Sequence, residues 1–541
     1  MQEVRLIDNY TDCLLIGHNE MDFEQYEKMV EAFGIDSEVY RDTALDFVYY
    51  GNKPYTIAGM YNYLAEDKRG SLQTIEPMGI GNILSPAIVY LGSYLNKRGF
   101  TFDFINSFQD QKELLAEKLM KGNIRSIGIT TTFYLTAAPI IEIISFIRKY
   151  NESIKIIVGG PFILSRYRTL EGYALKGFWR VMHADFYIIN SQGEQALTEI
   201  LCSLKQNSSD YTAVKNIAYR SGNQYVVNEI IPEKNILQEN MVDWELFSGA
   251  IKSTASVRCS ISCPYKCAFC NIPEREGAYQ TIDVSALESE LNQLQRLNIV
   301  KRINFVDDTF NIPTDRFKNI LRMMIKNRYP FKWIGYFRSQ FADREMLELM
   351  KESGCLGVFL GVESGNPEVL TNMNKFSDVD KYYRVIEMLR EYDIVSYVSM
   401  IIGFPGETLH TAEDTISFIK QSKPDFYNVN ALYLDQHTPI WRVKDKYGVT
   451  GQDYQWSHQT MDSKTACDIV DRMLLEIDDS IYVPEYNFEF PGIFNLMDRG
   501  MSLEQSKEFI SLFSQGVKEK LAERQKKNCS ETLINKMRDL V

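Results

Sequence analysis

Cys263-Pro264-Tyr265-Lys266-Cys267-Ala268-Phe269-Cys270 places three thiols on one short loop, in the register CxxxCxxC. Three thiolates can hold three irons of a 4Fe–4S cluster and leave the fourth iron open to a substrate or cofactor. Clusters that only carry electrons usually take four cysteines, so the missing fourth ligand points to chemistry at the open iron. A zinc site is the competing reading, with Cys259 as a fourth ligand. Zinc sites usually combine two CxxC-like pairs, or a pair with downstream histidines, and no such second pair follows here. Cys259 breaks the register and reads as a free thiol beside the loop.

Downstream of the loop, apolar runs alternate with amphipathic stretches. Strands are expected over 302–306, 332–335, 357–360, 395–402 and 426–434, and helices over 284–297, 316–327, 344–352, 379–392 and 411–421. Strand–helix alternation makes a parallel sheet. With the cysteine loop after its first strand, the series predicts a partial (β/α) barrel, whose chemistry sits at the C-terminal ends of the strands. Upstream, strands over 12–16, 101–105, 126–130, 155–158 and 185–189 alternate with helices over 86–97, 137–150 and 194–204. That pattern is α/β again, a doubly wound parallel sheet that binds ligands at its carboxyl edge. A small hairpin is expected at 216–219 and 224–228, around Ser221-Gly222.

These patterns divide the chain into 1–210, a connector at 211–251, a second domain at 252–446 and a helical, charged region at 447–541. The last ends in a Lys- and Glu-rich stretch over 515–540 that reads as a solvated helix. The stretch from Asn19 to Asn82 is longer than an ordinary first crossover and rich in Tyr and Phe. It reads as packing, with a cover over a cofactor or a substrate cleft as the alternative.

Composition narrows the function classes. A chain of 541 residues exceeds one ordinary domain, and 45% hydrophobic with 24% charged residues suits a large packed core. A net charge of −13 argues against a general nucleic-acid binder. No apolar run is long enough to span a bilayer, and the first residues lack a signal-peptide layout. Nine scattered cysteines fit a reducing, cytoplasmic compartment rather than a disulfide framework.

The cysteine loop resembles the signature of the radical S-adenosylmethionine (SAM) enzymes, and the resemblance runs from about residue 252 to 439. In that family the open iron chelates SAM, which is cleaved to a 5′-deoxyadenosyl radical. The resemblance implies Cys263, Cys267 and Cys270 as metal ligands and Phe269 as packing near the adenine. It implies Asp307, in Phe305-Val306-Asp307-Asp308, at the SAM site. Glu363 and Ser364, in Gly361-Val362-Glu363-Ser364-Gly365, would lie near the ribose and amino acid. Ile401, Gly403 and Glu407, in Met400-Ile401-Ile402-Gly403-Phe404-Pro405-Gly406-Glu407, would bracket the adenine. A carboxylate at a strand end is otherwise a helix cap, and Glu407 after its turn is otherwise a backbone-fixing residue.

The first half resembles the cobalamin-binding, Rossmann-like domain found upstream of many radical SAM domains. The resemblance rests on 86–99, Gly128-Ile129-Thr130-Thr131-Thr132, Ile156-Ile157-Val158-Gly159-Gly160-Pro161 and Ser191-Gln192-Gly193-Glu194. It implies Thr130, Thr131, Gly159, Gly160, Gly193 and Glu194 as cofactor contacts. Paired glycines let a nucleotide tail pass close to backbone, and the threonines can hydrogen-bond corrin amides or phosphate. A cofactor-free sheet in which Gly-Gly only turns the chain is the alternative. The Asp-x-His-x-x-Gly motif that supplies a histidine to cobalt in many such domains is absent. The lower face of cobalt is therefore expected to lack a histidine. His18, at the expected end of the first strand, reads as a turn or capping residue or as a functional one.

The opening 12–19 resembles natural-product methyltransferases grouped with the phosphinate P-methyltransferase. Together the resemblances imply a 4Fe–4S cluster, SAM and cobalamin as cofactors. They imply methyl transfer to an unactivated carbon or a phosphinate phosphorus, with a non-methylating rearrangement, cyclisation or C–C bond formation as the alternative. The substrate would be a small molecule, a phosphinate or a peptide, and the electron donor a flavodoxin or ferredoxin.

Overall fold

The computed structural model describes residues 10–69, 77–134, 136–233, 235–523 and 528–541. Strand β1 (Cys13–His18) is apolar and buried along its length, as a central parallel strand requires. The chain then leaves the sheet for the insertion, whose hairpin pairs β2 (Phe47–Tyr50) with β3 (Lys53–Thr56). It returns as β4 (Phe102–Ser107), β5 (Ser126–Thr130), β6 (Lys155–Gly159) and β7 (Phe186–Ile188). The hairpin β8 (Ile217–Ser221) and β9 (Gln224–Val227) follows. The sheet order is β4-β1-β5-β6-β7-β8-β9, parallel as far as β7 and antiparallel beyond it. The hairpin expected in the connector therefore extends the first sheet, which runs to Val227.

The second sheet begins with β10 (Thr254–Val257), and the short pair β11 (Ser260–Ile261) and β12 (Gln280–Thr281) brackets the cysteine loop. Then come β13 (Arg302–Phe305), β14 (Lys332–Phe337), β15 (Cys355–Glu363), β16 (Val395–Ile402) and β17 (Phe426–Ala431). Beyond them lie β18 (Thr450–Gln452), β19 (Gln455–His458) and β20 (Met461–Asp462), which form their own antiparallel sheet, and finally β21 (Ile481–Tyr482). The order β10-β13-β14-β15-β16-β17-β21 is parallel throughout, and its two edge strands do not pair. This is the expected partial barrel.

Residues 447–541 are not simply helical. They supply a three-stranded sheet and the last strand of the barrel. Helix Glu489–Asp498 packs on the face of β15 that carries Gly357 and Phe359, through Phe490 and Phe494. Its far end is tied to the barrel by Arg302, which pairs with Asp498 at 3.0 Å and donates to Asn495 at 2.6 Å. The expected solvated helix over 515–540 is replaced by helices Leu503–Ala522 and Glu531–Leu540, residues 524–527 lying outside the described ones. Phe509, Phe513 and Val517, at i, i+4 and i+8, bury one face of the first, and Ile534 and Met537 bury the second. Charge composition obscured that stripe.

The described part of the insertion packs against the C-terminal region. Arg41 pairs with Asp468 and Asp471, Ser463 donates to Glu38, Tyr454 donates to Asp42, and Lys520 donates to the carbonyls of Ala44 and Phe47. Two segments more than 400 residues apart thus form one body against the barrel. Among the described residues no helix is long and apolar enough to cross a membrane.

Candidate active site

The cysteine loop leaves β10 at the carboxyl edge of the barrel and is held from three sides. Ala268 N donates to Met373 O (2.8 Å), Asn374 Nδ2 donates to Lys266 O (2.6 Å), and Ile440 N donates to Ala268 O (2.9 Å). Cys267 is buried, while Cys263 and Cys270 are half-buried. Cys263 Sγ lies 3.2 Å from Thr309 Oγ1, and Arg338 Nη1 lies 3.9 Å from Cys267 Sγ. Burial pushes the Cys270 thiol up to about 11, with the neighbouring Cys267 and Cys263 adding to the rise. Such thiols ionise when a cation binds them. Among the described residues no three His, Cys, Asp or Glu side chains gather around a single-ion site. Cys259, which a zinc tetrahedron would need as its fourth ligand, instead donates its thiol to Asp307, leaving three loop thiols for a cubane. The donor set fits a 4Fe–4S cluster.

Asp307 and Cys259 form a bracket under the loop. The carboxylate of Asp307, wholly buried, accepts from Cys259 N (3.0 Å), Cys259 Sγ (3.1 Å) and Ser260 Oγ. Its pKa is raised, chiefly by burial, although these hydrogen bonds oppose the rise. Asp307 therefore orients the strand from which the cysteines depart, and Cys259 is the buried thiol donor of that bracket. The next carboxylate, Asp308, keeps accessible surface, yet burial holds it at about 6.

Glu363 ends β15 where the pairing with β16 shifts register, and it takes a φ of +71°. Bulges and left-handed backbone at a residue bearing a Cβ are costly and concentrate at functional sites. Lys375 Nζ donates to Glu363 Oε1 at 2.8 Å, with both side chains nearly buried, and the same ammonium lies 5.6 Å from the Phe269 ring centroid. Phe269, Glu363 and Lys375 thus come together beside Cys267, whose charge also raises the Lys375 pKa. A positioned ion pair next to an open iron fits the zwitterionic methionine end of SAM.

The other barrel candidates are committed within the protein. Ser364 is fully buried and turned toward helix Leu409–Ser422, with its Oγ 3.3 Å from Thr415 Oγ1 and accepting from Asn366 N at 3.1 Å. Glu407 is fully buried; its Oε2 accepts from Gly403 N, its Oε1 has no partner, and burial lifts its pKa to about 7. That is the backbone-fixing role. Gly403 takes φ +93°, and a Cβ there would lie 2.4 Å from Trp456, so packing alone demands glycine. Ile401 is half-buried in β16.

At the carboxyl edge of the first sheet, Thr130 Oγ1 donates to Ile16 O and Gly17 O (both 3.1 Å), and Thr131 Oγ1 donates to Gly159 O (3.0 Å). Both hydroxyl hydrogens are committed to backbone carbonyls, and Thr131 is fully buried. Gly160 takes φ +118°, and a Cβ there would lie 2.8 Å from Thr131 Oγ1. Packing against Thr131 and the positive φ already demand glycine there, so the edge presents backbone at that point. His18 is 4% exposed against the exposed Phe133 ring (5.3 Å), and burial alone lowers its pKa to about 4. Gly193 caps helix Glu194–Lys205 in the left-handed conformation. Glu194 accepts from Asn235 Nδ2 at 2.8 Å in the connector and lies near Arg258.

Helix Pro161–Thr169 joins the two edges. It starts at Gly160, runs about 13 Å for its nine residues, and ends with Thr169 Oγ1 2.9 Å from His437 Nε2. Two residues before His437, Asp435 accepts from Asn271, the neighbour of Cys270. Near the carboxyl end of β14, Tyr336 lies within electrostatic reach of Glu485 and Glu489, and burial holds the Glu485 carboxyl at about 8. Arg338, Lys375 and Thr309 were not among the sequence candidates. β14 runs two residues past the expected 335, so Arg338 is the residue that directly follows the strand. Lys375 is reached only through tertiary contact.

Residues 257–419 match the Radical SAM superfamily. An uncharacterized methyltransferase of Pyrococcus horikoshii is 23% identical over 62% of this chain and 72% of its own length. An anaerobic magnesium-protoporphyrin IX monomethyl ester cyclase of Cereibacter sphaeroides is 24% identical over 66% of this chain and 59% of its own length. The radical SAM methyltransferase TsrM of Kitasatospora setae, solved with cobalamin and a [4Fe–4S] cluster bound, superposes with a TM-score of 0.59 at 15% identity. It covers 86% of this chain and 97% of its own. That likeness carries the fold across both sheets. With the cysteine loop and the β11–β12 pair that brackets it inside the matched stretch, residues 257–419 form a domain similar to the Radical SAM superfamily, and the chain shares its two-sheet fold with a cobalamin-bound relative.

Proposed function

We propose that this chain is a cobalamin-dependent radical SAM methyltransferase. The observation that carries the proposal is the juxtaposition of two reactive edges. Helix Pro161–Thr169 spans from Gly160 to the segment that anchors Asn271 beside Cys270. When bound, the cluster and SAM supply a 5′-deoxyadenosyl radical, and cobalamin supplies the methyl group. Cys263, Cys267 and Cys270 would hold the cluster. Phe269, Glu363 and Lys375 would hold SAM, and the Gly159-Gly160 edge, which Thr130 and Thr131 brace from within, would take cobalamin. The protein's part is to orient the reactants across one gap and keep water out of it. An electron donor of the flavodoxin or ferredoxin class and a small-molecule or peptide substrate complete the proposal.

The cyclase relative gives a second reading, a cobalamin-dependent radical reaction without methylation. The test is product analysis on anaerobically reconstituted protein with SAM, cobalamin and a low-potential reductant. S-adenosylhomocysteine and 5′-deoxyadenosine formed in step support methyl transfer; 5′-deoxyadenosine with product but no S-adenosylhomocysteine supports the second reading.

A further inference from the structure

Arg338 follows β14 and reaches the cysteine loop from outside its signature. Its Nη1 lies 3.9 Å from Cys267 Sγ, and its Cζ lies 3.5 Å from the Tyr265 ring centroid. It therefore touches two residues of the CxxxCxxC run. The rest of the guanidinium is fixed, Nη2 donating to Lys375 O and Nε to Gln340 Oε1 at 2.7 Å. Its main chain is locked by a reciprocal pair. Arg338 N donates to Asn311 Oδ1 and Asn311 Nδ2 donates to Arg338 O, both at 2.8 Å, and Asn311 is fully buried. The side-chain partners are neutral oxygens, so among the described residues no carboxylate neutralises this charge. Lys375, the other cation near Cys267, is already paired with Glu363.

We propose that Arg338 is a positioning residue for the cluster, holding an uncompensated positive charge and an N–H donor on the Cys267 thiolate and so raising the cluster's reduction potential. This rests on the cluster assignment above. Three thiolates and a 4Fe–4S core carry net negative charge, which grows by one when a low-potential donor delivers an electron. A fixed cation beside a ligand sulfur stabilises the reduced state more than the oxidised one, and hydrogen bonds to sulfur act in the same direction. Stacking on Tyr265 keeps the planar guanidinium in place. A residue that only packed Tyr265 would leave the potential unchanged.

The experiment is an electron paramagnetic resonance redox titration of the full chain, reconstituted with iron and sulfide. Iron and sulfide content are measured in parallel. A wild-type chain that takes up no 4Fe–4S cluster sinks the function proposed above, which separates that failure from a failure of this inference. The expected result is that R338Q keeps its iron but shows a reduced-to-oxidised cluster ratio about tenfold lower at the wild-type midpoint, a shift of about 59 mV to the negative for one electron. R338K, which keeps the charge and loses the planar fork, should stay within about threefold of wild type in the same ratio. An unchanged midpoint in iron-replete R338Q overturns the proposal. Where R338Q takes up no cluster, R338K decides alone. A ratio within threefold supports the charge, and a tenfold loss overturns it.

Discussion

The carboxyl edge of the barrel and the carboxyl edge of the first sheet meet across one gap but are built differently. The barrel edge works through long side chains. Its strand ends carry Asp307, Arg338 and Glu363, and each is braced by a partner from another segment: Cys259, Tyr265 and Lys375. The first sheet's edge works through backbone. Its strand ends carry Gly159 and Gly160 and two threonines whose hydrogens are bonded to carbonyls; the one imidazole there is neutral. An edge of charged side chains suits a compact, charged ligand set. An edge of bare backbone suits a large neutral ring with a thread-like tail. The difference predicts that single substitutions hit the barrel edge hard and the sheet edge weakly.

The largest effect belongs to the cysteines. Alanine at Cys263, Cys267 or Cys270 should abolish the iron–sulfur absorbance and SAM cleavage together. Cys259→Ala should retain the cluster, because its Sγ donates to Asp307. Loss of iron in Cys259→Ala equal to that in the other three would show four ligands and remove the open iron from the argument.

Next comes Glu363→Gln. The change removes the anionic half of a nearly buried pair and leaves Lys375 uncompensated, a situation that costs about 3–5 kcal/mol where it has been measured. The variant should lose thermal stability and bind SAM at least about tenfold more weakly on cluster-replete protein. Lys375→Met combined with Glu363→Gln should recover the stability and not the affinity. Unchanged SAM affinity in Glu363→Gln would make the pair purely structural.

These two tests also mark where the sequence was readable. The cysteine spacing is local and needs no fold to be seen, and the strand–helix alternation follows from burial on both faces of a parallel sheet. Many element bounds agree closely; Ser126–Thr130, Val284–Leu297, Arg344–Glu352 and Val395–Ile402 coincide with the expectation. Partners were not readable. That Glu363 meets Lys375, or that Asp307 turns back to Cys259, depends on chain segments brought together only by the fold. Ser364 and Glu194 sit at expected strand or helix ends, but their side chains point to helix Leu409–Ser422 and to Asn235. Sequence position fixes the end of a strand; the direction of the side chain follows from a register shift of one residue.

A smaller effect is expected at the mouth of the barrel. Glu485 is raised to about 8, first by burial and then by Glu489 and Asp46. An acid whose folded-state pKa lies above its unfolded value binds more protons when folded, so stability falls as pH rises between about 4.5 and 8. Glu485→Gln keeps an acceptor for Asn430 and removes the charge. Its melting temperature should match wild type near pH 5 and exceed it by a few degrees near pH 8. A difference that does not grow with pH would show the carboxylate to be stabilised by solvent or a cation.

The smallest effect is expected at His18, and it tests the comparison most directly. The imidazole ends β1 at the edge where cobalamin is proposed to sit, and its pKa of about 4 leaves it neutral at physiological pH. Protonation state alone would therefore allow it to bind cobalt. What it lacks among the described residues is an orienting partner. Metal-bound histidines donate their second ring N–H to a carboxylate or carbonyl, and here burial alone sets the pKa, with no hydrogen bond or charge contributing. The ring leans on Phe133 instead. The cob(II)alamin form of the protein should accordingly show no nitrogen superhyperfine splitting in its electron paramagnetic resonance spectrum, and His18→Leu should leave that spectrum as it was. Splitting that disappears in His18→Leu would show a side chain reaching the cobalt. The first sheet's edge would then work as the barrel's does, and the contrast between a backbone edge and a side-chain edge would fall.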